Sequence, residues 1–219
     1  MKTQQKTKIV VTSDTHGFHS ITSIPKCDIF IHCGDFTQKG DKEAVQNFSK
    51  WLNNVKAKHK IVVMGNHEKI MRAELPESKN WLTENCPDVY FLLDESVVLE
   101  NIFFFGHSFR FQPNTIEVPN DMKKVLITHE PPTNILDEMV VNQLSIPWKY
   151  FHGGNSSING WLKKYSFDMH LFGHCHHCYG IEKKENCVYI NSSRVTEIMI
   201  PWNNPHIIEF DGNEFKIIQ

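Results

Sequence analysis

Five short stretches gather side chains that bind hard or borderline metal ions. They are "SDTHG" with Asp14 and His16, "CGDF" with Asp35, "GNHE" with Asn66, His67 and Glu68, "THEPP" with His129, and "FGHCHH" with His174 and His176. Each follows directly on an apolar, β-branched run, so each falls where a strand should end. Ligand-bearing turns at one end of a sheet are where layered α/β proteins build their sites. Imidazole nitrogens and carboxylate oxygens suit Mn, Fe or Zn without choosing among them. Asp14 and His16 are two apart, as are His174 and His176, and in extended chain such residues face the same side. Each pair is expected to aim at one pocket, with Thr15 and Cys175 turned away.

Plainer readings compete. Cys175 and Cys178 form a Cys-x-x-Cys, but a structural zinc site needs a second ligand pair, and no second Cys-x-x-Cys exists. A thioredoxin-type motif opens a helix after a strand, which the His-rich flanks do not suit. A redox role for these two thiols stays open as an overlay. Single histidines such as His32, His59, His107, His170 and His206 read as surface or satisfied core residues.

The strands that must position the site are "KIVVTS" (8–13), "DIFIHC" (28–33), "KIVVMG" (60–65), "VYFLL" (89–93), "SVVLE" (96–100) and "IFFFG" (102–106). "KVLIT" (124–128), "MHLFG" (169–173), "CVYIN" (187–191), "HIIEF" (206–210) and "EFKII" (214–218) follow, the last two joined by a "DGN" turn. Helical spacing of Val45, Phe48, Trp51, Leu52 and Val55 predicts a helix capped by Asp41. "PESKNWLTEN", with Pro76 in its first turn, and "SSINGWLKKY", capped by Asn155 or Ser156, predict two more. Early strands alternate with helices and later ones follow by hairpins. The expected fold is α/β, two β-sheets packed as a sandwich flanked by helices, in one domain over residues 1–219.

Bulk properties narrow the function classes. The 219 residues are 40% hydrophobic and 22% charged, as in ordinary globular proteins. A formal net charge of -2 gives no electrostatic reason to expect a nucleic-acid or membrane-surface partner. Thirteen histidines are many for this length and point toward metals. The N-terminal apolar run is too short for a signal peptide, and no stretch reaches the roughly 18 residues of a membrane span. The six scattered cysteines then read as reduced thiols, and the expected location is cytoplasmic.

The order of these motifs resembles the calcineurin-like metallophosphoesterase superfamily. "SDTH", "HCGDFTQKG", "NFSKWLNN", "KHKIVVMGNHE", "LITHEPP", "LFGHCHHCYG" and "INSS" bring it closer to the metallophosphoesterase-domain-containing proteins within it. The resemblance implies two sheets with two divalent or mixed-valence ions (Mn, Fe or Zn) between them. Asp14, His16 and His176 would bind one ion, Asn66, His129 and His174 the other, and Asp35 would bridge both. It gives His67 a catalytic role beside the scissile phosphate, with Asn66 also near substrate. Glu68 reads as a support that holds a histidine in place.

A two-metal centre implies hydrolysis of a small phosphate ester. Cations roughly 3.5–4 Å apart clamp a phosphoryl oxygen and acidify a shared water, and His67 can donate to the developing charge. Phosphodiesters, cyclic nucleotides among them, are the favoured substrates, with monoesters or nucleotide pyrophosphates as the enzyme alternative. A catalytically silent metal-stabilised binding module is the non-enzyme alternative. "GDFTQKGD" lacks the arginine of Ser/Thr protein phosphatases, which disfavours that branch. Where close relatives have Ser-Arg after the first motif, this chain has Gly17, Phe18 and His19, and His19 is a candidate substrate contact. Glu130 replaces a usual glycine and either narrows the pocket or faces solvent. Trp148, Tyr150 and Phe151 are available to stack on a base.

Overall fold

The computed structural model describes residues 6–109, 115–140 and 149–219. In chain order the elements begin β1 (Thr7–Thr12), β2 (Cys27–His32), α1 (Lys42–Asn54), β3 (Ala57–Val62), α2 (Lys69–Ala73), α3 (Lys79–Thr83) and β4 (Val89–Phe91). Then come β5 (Glu95–Leu99), β6 (Ile102–Gly106), β7 (Lys123–Ile127), β8 (Glu138–Val140), β9 (Tyr150–His152) and α4 (Ser156–Tyr165). The chain closes with β10 (Met169–Phe172), β11 (Gly180–Lys184), β12 (Cys187–Asn191), β13 (His206–Phe210) and β14 (Phe215–Ile217).

Two six-stranded sheets result, ordered β14-β13-β1-β2-β3-β4 and β11-β12-β10-β7-β6-β5, beside a β8–β9 ribbon. Period-two patterning explains how they stack. Ile9, Val11, Ile29, Ile31 and Ile61 point inward and meet Phe104, Val125, Ile127, Leu171 and Ile190 of the second sheet. The intervening Val10, Phe30 and Val62 point outward under Val45, Phe48 and Leu52 of α1. On the opposite flank Phe103, Phe105 and Leu126 lie under Ile158, Trp161 and Leu162 of α4. The layers therefore run helix, sheet, sheet, helix, as the patterning predicts.

The Asp41 side chain accepts from the Ala44 backbone N–H at 3.1 Å and caps α1. Asp41→Ala is expected to lower stability by about 1 kcal/mol in urea melts, with the midpoint shifted and the slope unchanged. The Asn155 side chain caps α4 through Ser157 N–H at 3.0 Å.

Three differences from expectation have physical causes. The second sheet is parallel at its centre, with β6 on β7, β7 on β10 and β10 on β12, and hairpins only at its edges. Chain between β7 and β10 makes a crossover through α4, which alternation alone did not reveal. The helix expected from Pro76 onward shortens to α3 behind a turn in which Lys79 N–H donates to Pro76 O at 3.1 Å. Finally, α2, β8, β9 and β11 escape prediction because they are short and carry little apolar periodicity.

His170 is wholly buried, its Nε2 2.7 Å from Thr128 Oγ1. Burial pushes its pKa from the ordinary 6.5 down to about 3. Because the unfolded chain takes up the proton first, stability is present above pH 6.5 and declines as pH falls toward 3. At about 1.36 kcal/mol per unit, this one imidazole removes about 2 kcal/mol between pH 6.5 and 5. Urea melts at the two pH values should show a shallower pH dependence for His170→Gln.

Candidate metal centre

Because β1, β2 and β3 run parallel, as do β7 and β10, their carboxyl ends share one edge of the sandwich. A parallel bridge between Ser13 and Ser193 joins the two sheets there. The loops leaving these five strands carry Asp14 and His16, Asp35, Asn66 and His67, His129, and His174 and His176. The fold thus gathers all seven expected ligands and His67 into one cluster.

Three overlapping donor sets have ligand atoms within 4.8 Å of one another: Asp14, His16 and His176; Asp35, His129 and His174; and His16, Asp35 and His67. In the first, His176 Nε2 lies 3.3 Å from Asp14 Oδ1 and 3.3 Å from His16 Nε2. In the second, His129 Nε2 lies 3.2 Å from Asp35 Oδ2, and Asn66 Oδ1 is 2.9 Å from both His129 Nε2 and His174 Nδ1. Asp35 Oδ2 also lies 3.8 Å from His16 Nε2 and 4.0 Å from His67 Nε2, so its carboxylate is central.

The donors fit a cation. His129 Nδ1–H donates to Cys33 O at 2.9 Å, so its Nε2 turns a lone pair toward the oxygens of Asp35 and Asn66. Only a proton or a cation reconciles that meeting. Burial opposes protonation of His129, but the Asp35 charge leads the opposing influences and raises its pKa to about 10. Burial likewise disfavours ionised Asp14, yet its bond to His176 and the surrounding imidazoles hold it well below the carboxylate range. Burial dominates for His16 and His174, which fall to about 4 and so offer neutral nitrogens, the form that binds metals.

The loops hold their donors in constrained conformations. Asp14, His16, Asp35 and His174 have φ of 52°, 44°, 53° and 70°, in the left-handed region that costs a non-glycine residue free energy. Glu68 supplies part of the compensation: its carboxylate accepts from Asp35 N and Thr37 N at 2.9 Å, and from Gly65 N and Thr37 Oγ1 at 2.8 Å. It fixes the loops after β2 and β3 rather than a histidine. The backbones pack closely as well. A Cβ on Gly65 would sit 2.0 Å from Asp35 Oδ1, and one on Gly173 2.0 Å from Asp14 Oδ2.

His67 is partly open to solvent, with 35% of its side chain exposed. Its Nδ1–H donates to Gln38 O at 2.9 Å, which turns Nε2 toward the cluster. Its ring stands edge-on to His16 at 4.6 Å. His19 is not brought to the site. The turn at 18–21 buries it against Phe48 and Trp51, with ring centroids 5.5 Å away, so it cannot serve as the expected substrate contact.

Glu130 is half-buried, and its Oε2 accepts from the Asn155 side chain at 3.2 Å. Cys175 is buried and burial raises its thiol; burial pushes the Cys178 thiol up to about 11. Neither carries thiolate character. Tyr150 lies against His177 at 4.8 Å, Phe151 is exposed, and Trp148 lies outside the described residues.

Ser193 and Phe109 escaped the sequence reading. Ser193 Oγ donates to Asp14 Oδ2 at 2.9 Å, and the Phe109 ring lies 5.8 Å from that of His174. "INSS" was the signal for the first; nothing in spacing marks the second.

The profile for calcineurin-like phosphoesterases matches residues 7–178, and the chain belongs to that family. A UPF0046 protein of Caenorhabditis elegans is 32% identical over 85% of this chain and 69% of its own length. Human metallophosphoesterase domain-containing protein 1 is 27% identical over 93% of this chain and 71% of its own. A solved structure described as a novel archaeal phosphodiesterase shares the fold at a TM-score of 0.57 and 19% identity, covering 96% of this chain and 98% of that one. Family and donor clusters together support a metal-dependent phosphoester hydrolase. Among the described residues no helix is long and apolar enough to cross a membrane.

Proposed function

We propose that the chain is a dinuclear phosphodiesterase for small phosphodiesters. Asp14, His16 and His176 would hold one ion, Asn66, His129 and His174 the second, and Asp35 both. The observation that carries this is the position of Asp35 Oδ2, 3.2 Å from His129 Nε2 in one donor set and 3.8 Å from His16 Nε2 in the other. When bound, two such cations supply charge that polarises a phosphoryl oxygen and makes water acidic enough to attack near neutral pH.

The chain's own contribution is positioning and proton handling. Gln38 O fixes the His67 tautomer, leaving Nε2 to face the phosphate. In its protonated form His67 donates to a phosphoryl oxygen or delivers the proton to the leaving oxygen. Ser193 and Glu68 hold Asp14 and the Asp35 loop so that little reorganises during the reaction. The choice of diester follows the archaeal relative's description together with its shared fold.

The test is hydrolysis of an activated aryl phosphodiester and its monoester counterpart, with Mn²⁺ or with chelator. Metal-dependent turnover favouring the diester is expected. Turnover of the monoester alone would replace this reading with a phosphatase. Two bound ions without turnover of either would make the protein a metal-stabilised binding module.

A further inference from the structure

A cavity of about 480 Å³ opens beside the metal centre, between the segment after β10 and the loop 196–203. His176 is common to both, lining the cavity and belonging to the first donor set. The volume lies in the range of small-molecule sites, roughly 300–1,000 Å³. Its walls are mainly apolar: Tyr179, Ile198, Ile200 and Trp202, with Glu197 as the charged member. Ile198, Ile200 and Trp202 are 57%, 46% and 77% exposed, a concentration of large apolar groups in water that marks a binding surface.

The loop is braced rather than loose. Thr196 N–H and Trp202 N–H both donate to Ile200 O at 2.9 Å, and Val195 pairs with Pro201. The Asn203 side chain donates to Ser193 O at 2.9 Å, and Ser193 Oγ bonds Asp14, so the loop is fixed to the donor cluster. Opposite, Tyr179 Oη donates to Asn204 O at 2.8 Å and its ring stacks on His206 at 4.6 Å. Glu197 accepts from His177 N–H at 2.6 Å, which places negative charge on the wall.

We infer that this cavity is the subsite for a flat, uncharged organic group of the phosphate ester, seated against Trp202 and Ile200 while the phosphate lies at the donor cluster. The inference rests on the phosphoesterase reading and names the substrate class it would select. The Glu197 carboxylate sets the cavity against a second anionic group, and the indole and isoleucines favour a ring over a short alkyl group.

Calorimetric titration of the full chain with Mn²⁺ tests it, using methylphosphonate, phenylphosphonate and 4-carboxyphenylphosphonate as probes that do not turn over. Phenylphosphonate is expected to bind about tenfold tighter than methylphosphonate, an aromatic contact of about 1.4 kcal/mol. The carboxylated ring should lose that advantage. In Trp202→Ala and Ile200→Ser, both at exposed positions, the phenyl-to-methyl ratio should fall below about twofold. Equal binding of the two in the native chain, a ratio that survives both substitutions, or tight binding of the carboxylated ring would overturn the subsite. Failure of every phosphonate to bind would remove the phosphoesterase reading and the subsite with it.

Discussion

Asp35→Asn is expected to abolish metal-dependent phosphoester turnover, by about a thousandfold or more, a loss of roughly 4 kcal/mol of transition-state stabilisation. Asparagine keeps the shape and tolerates the left-handed φ of 53° found at this position. It can also still accept the backbone N–H of His67, which donates to Asp35 Oδ1 at 2.8 Å. What disappears is the negative charge whose Oδ2 lies 3.2 Å from His129 Nε2 and 3.8 Å from His16 Nε2. The circular dichroism spectrum should therefore stay native while bound metal falls below two ions per chain. Activity within tenfold of the native chain would show that the carboxylate is not the bridge.

His67→Ala should lower kcat by about a hundredfold to a thousandfold while bound metal stays unchanged. The prediction separates two roles that the geometry brings close. His67 Nε2 belongs to the donor set with His16 and Asp35, but it lies 4.0 Å from Asp35 Oδ2, against 3.2 Å for His129. It is also tied to Gln38 and open to solvent, as a group that meets substrate should be. Loss of an ion from the variant, measured by metal analysis after gel filtration, would make His67 a ligand. Retention of both ions with unchanged kcat would remove it from the chemistry.

Strands, layers and the clustering of donors were legible because apolar runs ended in ligand-bearing turns, and parallel strands bring such ends together. The finer geometry was not. The i, i+2 rule assumes extended chain, yet Asp14 and His16 both have positive φ and reach one pocket by turning. His174 and His176, at the same spacing, enter different donor sets. Spacing alone could not separate these cases, because the separation is made by loop conformation. Glu68 and Ser193 were obscure for a related reason: their partners are set by how two loops or two sheets meet. His19 misled because a polar residue beside a motif looks available, whereas a single helical turn tucks it beneath Phe48 and Trp51.

The donors come from loops strung along the chain from Asp14 to His176, so no continuous segment carries a full set. In the unfolded chain an ion would meet scattered weak ligands; in the folded one, an ion held by Asp14, His16 and His176 would fasten the first sheet to the second where β1 and β10 end. Such an ion would be a reversible staple between the two halves of the sandwich, its affinity belonging to the native state. At a free concentration one hundred times Kd it would add about 2.7 kcal/mol to the unfolding free energy. Chelation should accordingly hasten proteolysis across the whole chain, even at peptide bonds far from the ions.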